Sequence, residues 1–237
     1  EDIAVLDFKS MYPNIMITYN LSPDTYIAPD MPEPASGVNV APEVEHKFRK
    51  SPPGFYKEAL TFLIDVRNQI RQQMRTLNPK TVQYSILDAR QKAVKIITNA
   101  SYGYAGWVGA RWYIKPVAEA ASAWGRHTIL ATSQMAEAKG LTVVYGDTDS
   151  LFLTNDKKKL DALQKEIKLN LALDVEVGEV YKRIFFTEAK KRYAGLRADG
   201  SLDIVGLEVI RGDWAEVAKK LQEHVLEIIL KEQSPKK

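Results

Sequence analysis

The chain has 237 residues with 45% hydrophobic and 27% charged side chains, a composition typical of a folded, soluble protein, and its formal net charge is only +3. It has no cysteine, which excludes disulfides, thiolate metal sites and cysteine nucleophiles, and its three histidines lie too far apart for the ligand spacing of a structural zinc site. No apolar run approaches the roughly 20 residues that a membrane span requires, so we expect no membrane-embedded segment.

The first part of the chain predicts a strand followed by a long connection. Apolar side chains around Asp7 predict a buried strand that carries one carboxylate and ends at Pro13. Because the first residue is Glu1 rather than Met and this strand begins at once, we expect the chain to be part of a longer polypeptide. Residues 28–54 contain six of the eleven prolines and show little periodicity, which predicts a connection rather than a regular element.

Two helices are predicted next. Apolar positions step by three or four residues over about 57–75, and a similar pattern extends over about 83–100. Asn78 and Pro79 break the pattern between them. Two helices with so short a break form an antiparallel hairpin.

This predicted hairpin carries the positive charge of the chain. Residues 56–115 contain ten basic and three acidic side chains. Arg67, Arg71 and Arg75 recur at every fourth position, so they project from one face of the first helix. Such a basic block is expected where a protein grips phosphates, and a merely solvated basic face is the alternative.

The second half of the chain predicts a long helix followed mainly by strands. Proline favours the first turn of a helix and glycine its end, which places the long helix between Pro116 and Gly140. Two β-rich runs, 142–145 and 150–154, flank an acidic turn and predict a hairpin with carboxylates at its tip. The further predicted elements are a helix over 157–170, strands over 175–177, 184–187, 192–196 and 202–205, and a last helix over about 214–230.

The acidic turn is a candidate metal site. Asp147 and Asp149 are two residues apart, which in extended chain places both carboxylates on one side. Carboxylate oxygens suit Mg²⁺, which proteins commonly bind through one or two carboxylates together with substrate phosphates. Asp-x-Asp pairs also occur at solvated turns and in sugar-nucleotide transferases, so the pair alone leaves these alternatives open. Asp7, a third carboxylate on a separate apolar strand, favours the metal site.

Three segments along the chain together combine carboxylates, cations and aromatic residues. They are residues 7–15 (DFKSMYPNI), residues 95–103 (KIITNASYG) and residues 145–150 (YGDTDS). In this order they resemble motifs A, B and C of family B DNA polymerases, in particular of archaeal members.

The resemblance continues towards the end of the chain. Residues 191–195 (KRYAG) are similar to the Lys-x-Tyr motif that contacts the template, and residues 206–214 resemble the family's entry into the thumb. Ala100 stands where most members have Ser, and Gly212 where a second Arg is common. Neither departure removes a carboxylate or the lysine of motif B.

The resemblance implies an α+β polymerase right-hand fold, with an antiparallel palm sheet backed by helices, a helical-hairpin fingers insertion and a partial thumb. The implied division of the chain is the palm with a long connection over 1–55, the fingers over 56–100, the palm again over 101–205 and the start of the thumb over 206–237.

The catalytic set implied by the resemblance is Asp7, Asp147 and Asp149, with two Mg²⁺ ions as cofactors. Asp7 and Asp149 would bridge the ions, Asp147 would be a weaker or outer ligand, and the Phe8 carbonyl would add an oxygen. A cap at the end of a strand is the alternative role of Asp7.

Phosphate binding is implied for three cations. Arg67 and Lys95 match the family's triphosphate-binding positions, and Arg71 matches a neighbouring position. Arg75 and Lys92 have no such match, and we expect them to be solvated.

Aromatic and polar residues complete the implied nucleotide site. Tyr12 matches the residue that leaves no room for a ribose 2′ hydroxyl, and Pro13 is expected to push it into an extended or turn conformation. Tyr102 lies on the helical stripe of Lys95 and is expected to stack on the nascent base pair. Core packing is the alternative for both rings. The whole predicted nucleotide-binding set is Ser10, Met11, Tyr12, Arg67, Arg71, Lys95, Asn99 and Tyr102.

The implied DNA contacts are Gly103, Thr148, Lys191 and Tyr193. Lys191 and Tyr193 lie two residues apart, so on a strand they would share one face and could hold duplex phosphates and minor-groove edges. A generic exposed strand edge is the alternative.

The predicted function is that of a DNA-directed DNA polymerase core, a nucleotidyltransferase of DNA replication that adds dNTPs to a primer 3′ end by two-metal phosphoryl transfer. A non-catalytic DNA-binding scaffold subunit of a polymerase complex is the alternative, against which the three carboxylates argue. The expected partners are primer-template DNA, dNTPs and upstream N-terminal or exonuclease domains, without a membrane. The expected location is cytoplasmic and nucleoid-associated.

The last helix suggests one further partner. Val217, Leu221, Val225, Ile228 and Ile229 form an apolar stripe that must face something. The charged residues 231–237 lack a helix-closing glycine and indicate a solvated terminus. We therefore expect the natural end of the large subunit of a split archaeal polymerase, with a second chain supplying the rest of the thumb. A polypeptide that continues past Lys237 into its own thumb is the alternative.

Overall fold

The computed structural model describes residues 2–232, and the chain divides into two compact units. None of the helices in the described range is both long and apolar enough to cross a membrane. The first unit, here called the sheet unit, comprises Glu1–Phe8, Ile129–Asn170 and Asp174–Lys237, and the second, here called the helical unit, comprises Lys9–Thr128 and Leu171–Leu173.

The regular elements follow one another along the chain as nine strands and six helices within the described residues. They are β1 (Ile3–Phe8), α1 (Met11–Thr18), β2 (Tyr26–Ile27), β3 (Val38–Val40), β4 (Lys47–Arg49), α2 (Phe55–Met74), α3 (Val82–Ala105), α4 (Lys115–Ala138), β5 (Val143–Gly146), β6 (Ser150–Thr154), α5 (Lys157–Leu171), β7 (Val175–Phe186), β8 (Tyr193–Arg197), β9 (Leu202–Val205) and α6 (Glu216–Glu227), with a 3-10 turn at Glu208–Ile210 and a π-helical turn at Ile228–Glu232.

The sheet unit is built on a six-stranded antiparallel sheet with the strand order β5-β6-β1-β7-β8-β9. Strand β1 lies inside the sheet, between β6 and β7. Its alternate side chains Ala4, Leu6 and Phe8 are buried, whereas Val5 and Asp7 are half-buried. This two-residue alternation holds β1 in one register, so the position of Asp7 in the sheet is fixed.

Two of the apolar clusters among the described residues stabilise the sheet unit. The first joins strands through Ile3, Phe152 and Tyr181. The second anchors the final helical segment, because Leu226 and Leu230 pack with Ala194, Leu196 and Leu207.

The helical unit contains the predicted hairpin. Ile70 and Met74 of α2 pack against Leu87 of α3. Helix α3 begins with a capped turn, because the Thr81 side chain accepts a hydrogen bond from the Tyr84 N–H at 3.2 Å. The helix continues to Ala105, beyond the predicted end at residue 100.

Two predictions for the first fifty residues are wrong. Strand β1 ends at Phe8 and not at Pro13. Pro13 lies in the first turn of α1, where a backbone N–H has no acceptor within the helix, so the N–H that proline lacks is not needed. Residues 28–54 are also not a plain connection, because β3 and β4 form a three-stranded sheet with β2. The short strands and the prolines conceal this sheet from a search for periodicity.

Later differences are smaller. The two strands predicted at 175–177 and 184–187 are one twelve-residue strand, β7. The last helix is confirmed, but Val217, Leu221 and Val225 of its predicted stripe are 76%, 64% and 43% exposed within the described residues. Residues 233–237 of the predicted solvated tail lie outside the described range. The four-part division into palm, fingers, palm and thumb start stays a prediction.

Candidate active site

The sheet brings Asp7 to the same end as the acidic turn between β5 and β6. Asp7 on β1 is paired in register with Ser150 on β6. The Phe8 N–H donates to the Asp149 carbonyl at 2.9 Å. The backbones that carry Asp7 and Asp149 are therefore joined directly, although 142 positions of sequence separate them.

The two aspartates of the turn have different surroundings. The Asp147 N–H donates to the Ser150 carbonyl at 2.9 Å, which closes a tight turn, so the chain between Asp147 and Asp149 is not extended as predicted. That both carboxylates lie on one side of the turn stays a prediction. The Asp147 carboxylate accepts from the Thr148 N–H at 2.7 Å and lies 3.6 Å from Lys191 Nζ. Asp149 is exposed.

The chemistry of these donors fits a hard divalent cation. Carboxylate oxygens are the ligands that Mg²⁺ accepts, and one or two carboxylates suffice when substrate phosphates complete the shell. Within residues 2–232, no group of three or more His, Asp or Glu side chains is arranged so that it could hold a metal by itself. The predicted metal set of Asp7, Phe8, Asp147 and Asp149 stays a prediction.

Lys191 lies beside the acidic turn, but not on a strand as predicted. Its φ is 61°, in the left-handed region, and β8 begins only at Tyr193. The Lys191 N–H donates to the Tyr145 hydroxyl at 3.0 Å. The tight turn, and not strand geometry, therefore places the Lys191 ammonium near Asp147.

Tyr193 belongs to an aromatic cluster of the sheet unit. Its ring packs edge-to-face on Phe152, with the ring centroids 5.3 Å apart. Burial raises the pKa of the Tyr193 hydroxyl. The two residues of the predicted DNA contact thus differ, because Lys191 is exposed and Tyr193 is half-buried.

The predicted phosphate-binding cations lie on the helical hairpin. Arg67 of α2 donates from Nε to the Gln91 side-chain oxygen on α3 at 3.2 Å. Gln91 in turn donates to Asp88 at 2.9 Å. Lys95 follows Gln91 by one helical turn and is exposed. Arg67 is therefore held across the hairpin at the level of Gln91, one helical turn before Lys95.

The far end of the hairpin forms an open pocket. Arg71 and Arg75 line it together with Tyr84, Asp88 and Gln91. Lys92, predicted to be solvated, lies 2.6 Å from the Asp88 carboxylate. Hydrogen bonds from Lys92 and from Gln91 lower the pKa of Asp88, so this carboxyl is ionised at neutral pH.

Tyr12 is helical, which corrects the predicted extended or turn conformation. It is the second residue of α1, and Ser10 before it takes the left-handed turn, with φ 44°. A residue before proline tends to avoid the helical conformation, which predicted the non-helical residue at Tyr12. The non-helical residue is instead Ser10, two positions earlier. The Tyr12 ring stacks on Tyr102 of α3, with the centroids 4.2 Å apart and the planes 8° from parallel.

The remaining predicted residues differ in accessibility. Met11 is buried, with 3% of its surface exposed, so its side chain serves the core. The other predicted positions are half-buried at Ser10 and exposed at Asn99, Gly103 and Thr148.

The structure adds residues that the sequence analysis missed. Gln91 joins Arg67 to Asp88, and its position one turn before Lys95 was the available signal. Gly125 on α4 lies against Tyr12, a contact between distant segments that no local pattern contains.

Comparison with known proteins places these features in one family. The sequence profile described as DNA polymerase family B matches residues 1–237. The chain is 54% identical over 231 residues to DNA polymerase 2 of Aeropyrum pernix, covering 98% of this chain and 29% of that protein. It is 50% identical over 240 residues to the DNA polymerase of Archaeoglobus fulgidus, covering 100% of this chain and 30% of that protein.

A solved structure supports the same family assignment. The family B DNA polymerase of the hyperthermophilic archaeon Pyrobaculum calidifontis matches with a TM-score of 0.80 and 49% identity, over 98% of this chain and 30% of that chain. The predicted polymerase fold is thereby confirmed. The chain spans about 30% of the length of each of these relatives.

Proposed function

This chain belongs to DNA polymerase family B, and we propose that it forms the nucleotidyl-transfer core of a DNA-directed DNA polymerase, which adds dNTPs to a primer 3′ end on a DNA template. The observation that carries this proposal is the joining of Asp7 to the Asp147–Asp149 turn at one end of the sheet.

The carboxylates meet the main requirement of phosphoryl transfer, which is the positioning of charge-neutralising groups at the phosphate. That reaction needs little covalent help from the protein and depends on positioning and on neutralising charge at the phosphate. Asp7 and Asp149 would hold two Mg²⁺ ions, with Asp147 and the Phe8 carbonyl as additional oxygens. Bound Mg²⁺ supplies the neutralising charge and lowers the pKa of the primer 3′ hydroxyl. The turn bonds of Asp147 and the register of β1 orient the carboxylates for this task.

The cations of the helical hairpin are proposed to bind the triphosphate. Arginine and lysine form charge-assisted hydrogen bonds with phosphate oxygens, and a guanidinium can bind two oxygens at once. Arg67 is already oriented by Gln91, while Lys95 is exposed and available to a ligand.

The tyrosines of the helical unit are proposed to recognise the sugar and the base. The Tyr12 ring would pack on C2′ of the incoming nucleotide and leave no room for a ribose hydroxyl, the group that distinguishes RNA from DNA. Tyr102, stacked on Tyr12, would contact the nascent base pair.

The proposed partners are primer-template DNA and dNTPs, together with the other parts of the polymerase, such as an exonuclease domain. A second chain that supplies the rest of the thumb, and a cytoplasmic, nucleoid-associated location, stay predictions. The alternative of a non-catalytic scaffold subunit is not favoured, because all three carboxylates are present.

Isosteric replacement of the carboxylates tests the proposal. We expect Asp7→Asn and Asp149→Asn in the full-length protein to abolish Mg²⁺-dependent primer extension, while primer-template binding and the melting temperature stay near wild-type. Asp199→Asn is the matched control, because Asp199 also lies in a hairpin turn of the sheet unit and bonds only locally to Ser201 in the described contacts. Wild-type extension by either site variant would contradict the proposal.

A further inference from the structure

Helix α4 approaches the Tyr12 ring at a position without a side chain. Gly125 is buried, and a Cβ built on it would lie 3.1 Å from Tyr12 Cε1 and 3.6 Å from Tyr12 Cζ. The same Cβ would lie 3.3 Å from the terminal methyl of Met11. The first and last of these distances are shorter than ordinary van der Waals contact, so a methyl group here would force its neighbours to move by a few tenths of an ångström.

Stacking restricts the position of the Tyr12 ring. The ring is stacked nearly parallel on Tyr102 at a centroid separation of 4.2 Å. The Tyr12 ring is half-buried, and the stack on Tyr102 on one side and the backbone at Gly125 on another limit where it can lie.

Helix α4 itself is anchored on both sides of Gly125. Trp124 stacks on Tyr19 of the segment that ends α1, with centroids 4.2 Å apart and planes 11° from parallel. Arg126 donates from Nε to the Glu43 carboxylate at 3.0 Å. Because α4 is held at the residues before and after Gly125, we expect an added methyl to displace the Tyr12 ring and the end of the Met11 side chain more than the helix.

We propose that Gly125 is a specificity-determining positioning residue, which sets where the Tyr12 ring stands and thereby how strongly the enzyme discriminates between deoxyribonucleotides and ribonucleotides. This inference rests on the proposed function, in which Tyr12 packs on the sugar. It goes beyond that function because it places part of the sugar discrimination on a residue that touches no substrate.

The test compares single-nucleotide insertion of a dNTP and of the matching rNTP by the full-length protein. We expect Gly125→Ala to change the ratio of the two kcat/KM values by at least about threefold, a change larger than the roughly twofold deviation seen between independent sites. Gly106→Ala is the matched control, because its added Cβ would also meet a neighbour at 3.1 Å, but that neighbour is the Ala118 methyl. Its ratio should stay at the wild-type value.

A double variant separates an effect that acts through the Tyr12 ring from a general disturbance of the packing around Gly125. Tyr12→Ala removes the ring atoms that the added methyl would displace, so Gly125→Ala in that background should leave the ratio unchanged. If Gly125→Ala changes the ratio equally with and without the Tyr12 ring, the inference is overturned. If Tyr12→Ala changes the ratio and Gly125→Ala does not, the inference about Gly125 is overturned, while the proposed sugar contact of Tyr12 stands. If the active Tyr12→Ala enzyme keeps the wild-type ratio, the proposed sugar contact fails first.

A second pair of variants serves if Gly125→Ala does not fold. Both variants, Tyr102→Phe and Tyr102→Leu, alter the proposed contact of Tyr102 with the base pair, but a dNTP and the matching rNTP share that contact, so only the ratio of their kcat/KM values is compared. Tyr102→Phe keeps the ring stack on Tyr12 and should keep the ratio, whereas Tyr102→Leu removes the stack and should change the ratio by at least about threefold. Equal ratios for Tyr102→Phe and Tyr102→Leu would overturn the idea that the position of the Tyr12 ring is set by its packing.

Discussion

Gln91 orients Arg67, and its removal should weaken dNTP binding although Gln91 is not expected to contact the nucleotide. The Gln91 side-chain oxygen accepts from Arg67 Nε at 3.2 Å, and its amide donates to Asp88 at 2.9 Å. Gln91→Ala removes both bonds. The Arg67 guanidinium then keeps its charge but loses the hydrogen bond from its Nε to Gln91.

The size of this effect follows from the kind of bond that is lost. A hydrogen bond with one charged partner contributes roughly 1.5 to 3 kcal/mol when it is well shielded from water. Arg67 and Gln91 are only half-buried, so we expect about 1 kcal/mol, which corresponds to about a fivefold rise in KM for the dNTP. Arg67→Ala, which removes the cation itself, should cost about 10 to 100-fold.

Steady-state insertion of one dNTP measures this difference, with primer-template affinity determined separately. Gln83→Ala is the control, because Gln83 is an exposed glutamine on the same helix. In the Arg67→Ala background, Gln91→Ala should have no further effect on KM, since no guanidinium is left to orient. The same fivefold loss in that background, or an equal loss in DNA affinity, would refute the positioning role.

Three further predictions follow from the hairpin and from the sheet unit. Lys95→Ala should raise KM for the dNTP about tenfold or more while primer-template affinity changes little, and the exposed Arg90→Ala on the same helix should change neither value. Thr81→Ala should lower the free energy of unfolding by about 1 kcal/mol in chemical denaturation, because it removes the cap of α3, and Thr81→Ser should restore it. Gly206→Ala should lower the melting temperature more than Gly200→Ala.

The main elements of the fold and the carboxylates of the site could be predicted from the sequence because each has a local signal. The short apolar run around Asp7 marks a strand, and β1 is that strand. Apolar spacing of three and four marks α2 and α3. The acidic turn between two β-rich runs is likewise a local pattern, and the structure places it between β5 and β6.

Other features could not be predicted because their causes are not local. Pro13 suggested an extended Tyr12, but the left-handed turn at Ser10 lets α1 begin earlier and places proline where a helix accepts it. The strands β3 and β4 have three residues each, too few to show a period. The contact of Gly125 with Tyr12 joins residues 113 positions apart, and only the packed helices bring them together.

The glycine at 206 shows how a remote residue can fix a site residue. Gly206 and Gly200 both have a positive φ, +67° and +84°. Alanine at either position would therefore adopt the left-handed conformation, which lowers the free energy of unfolding by about 1–2 kcal/mol. A Cβ at Gly200 would have no atom within 4 Å, but at Gly206 it would lie 2.0 Å from the Lys191 carbonyl oxygen. That overlap is with backbone, so the turn that holds Lys191 near Asp147 must move. Gly206→Ala should therefore weaken primer-template binding as well as stability, and Gly200→Ala only stability. Equal melting temperatures and DNA affinities for the two variants would show that the Lys191 turn is not held in this way.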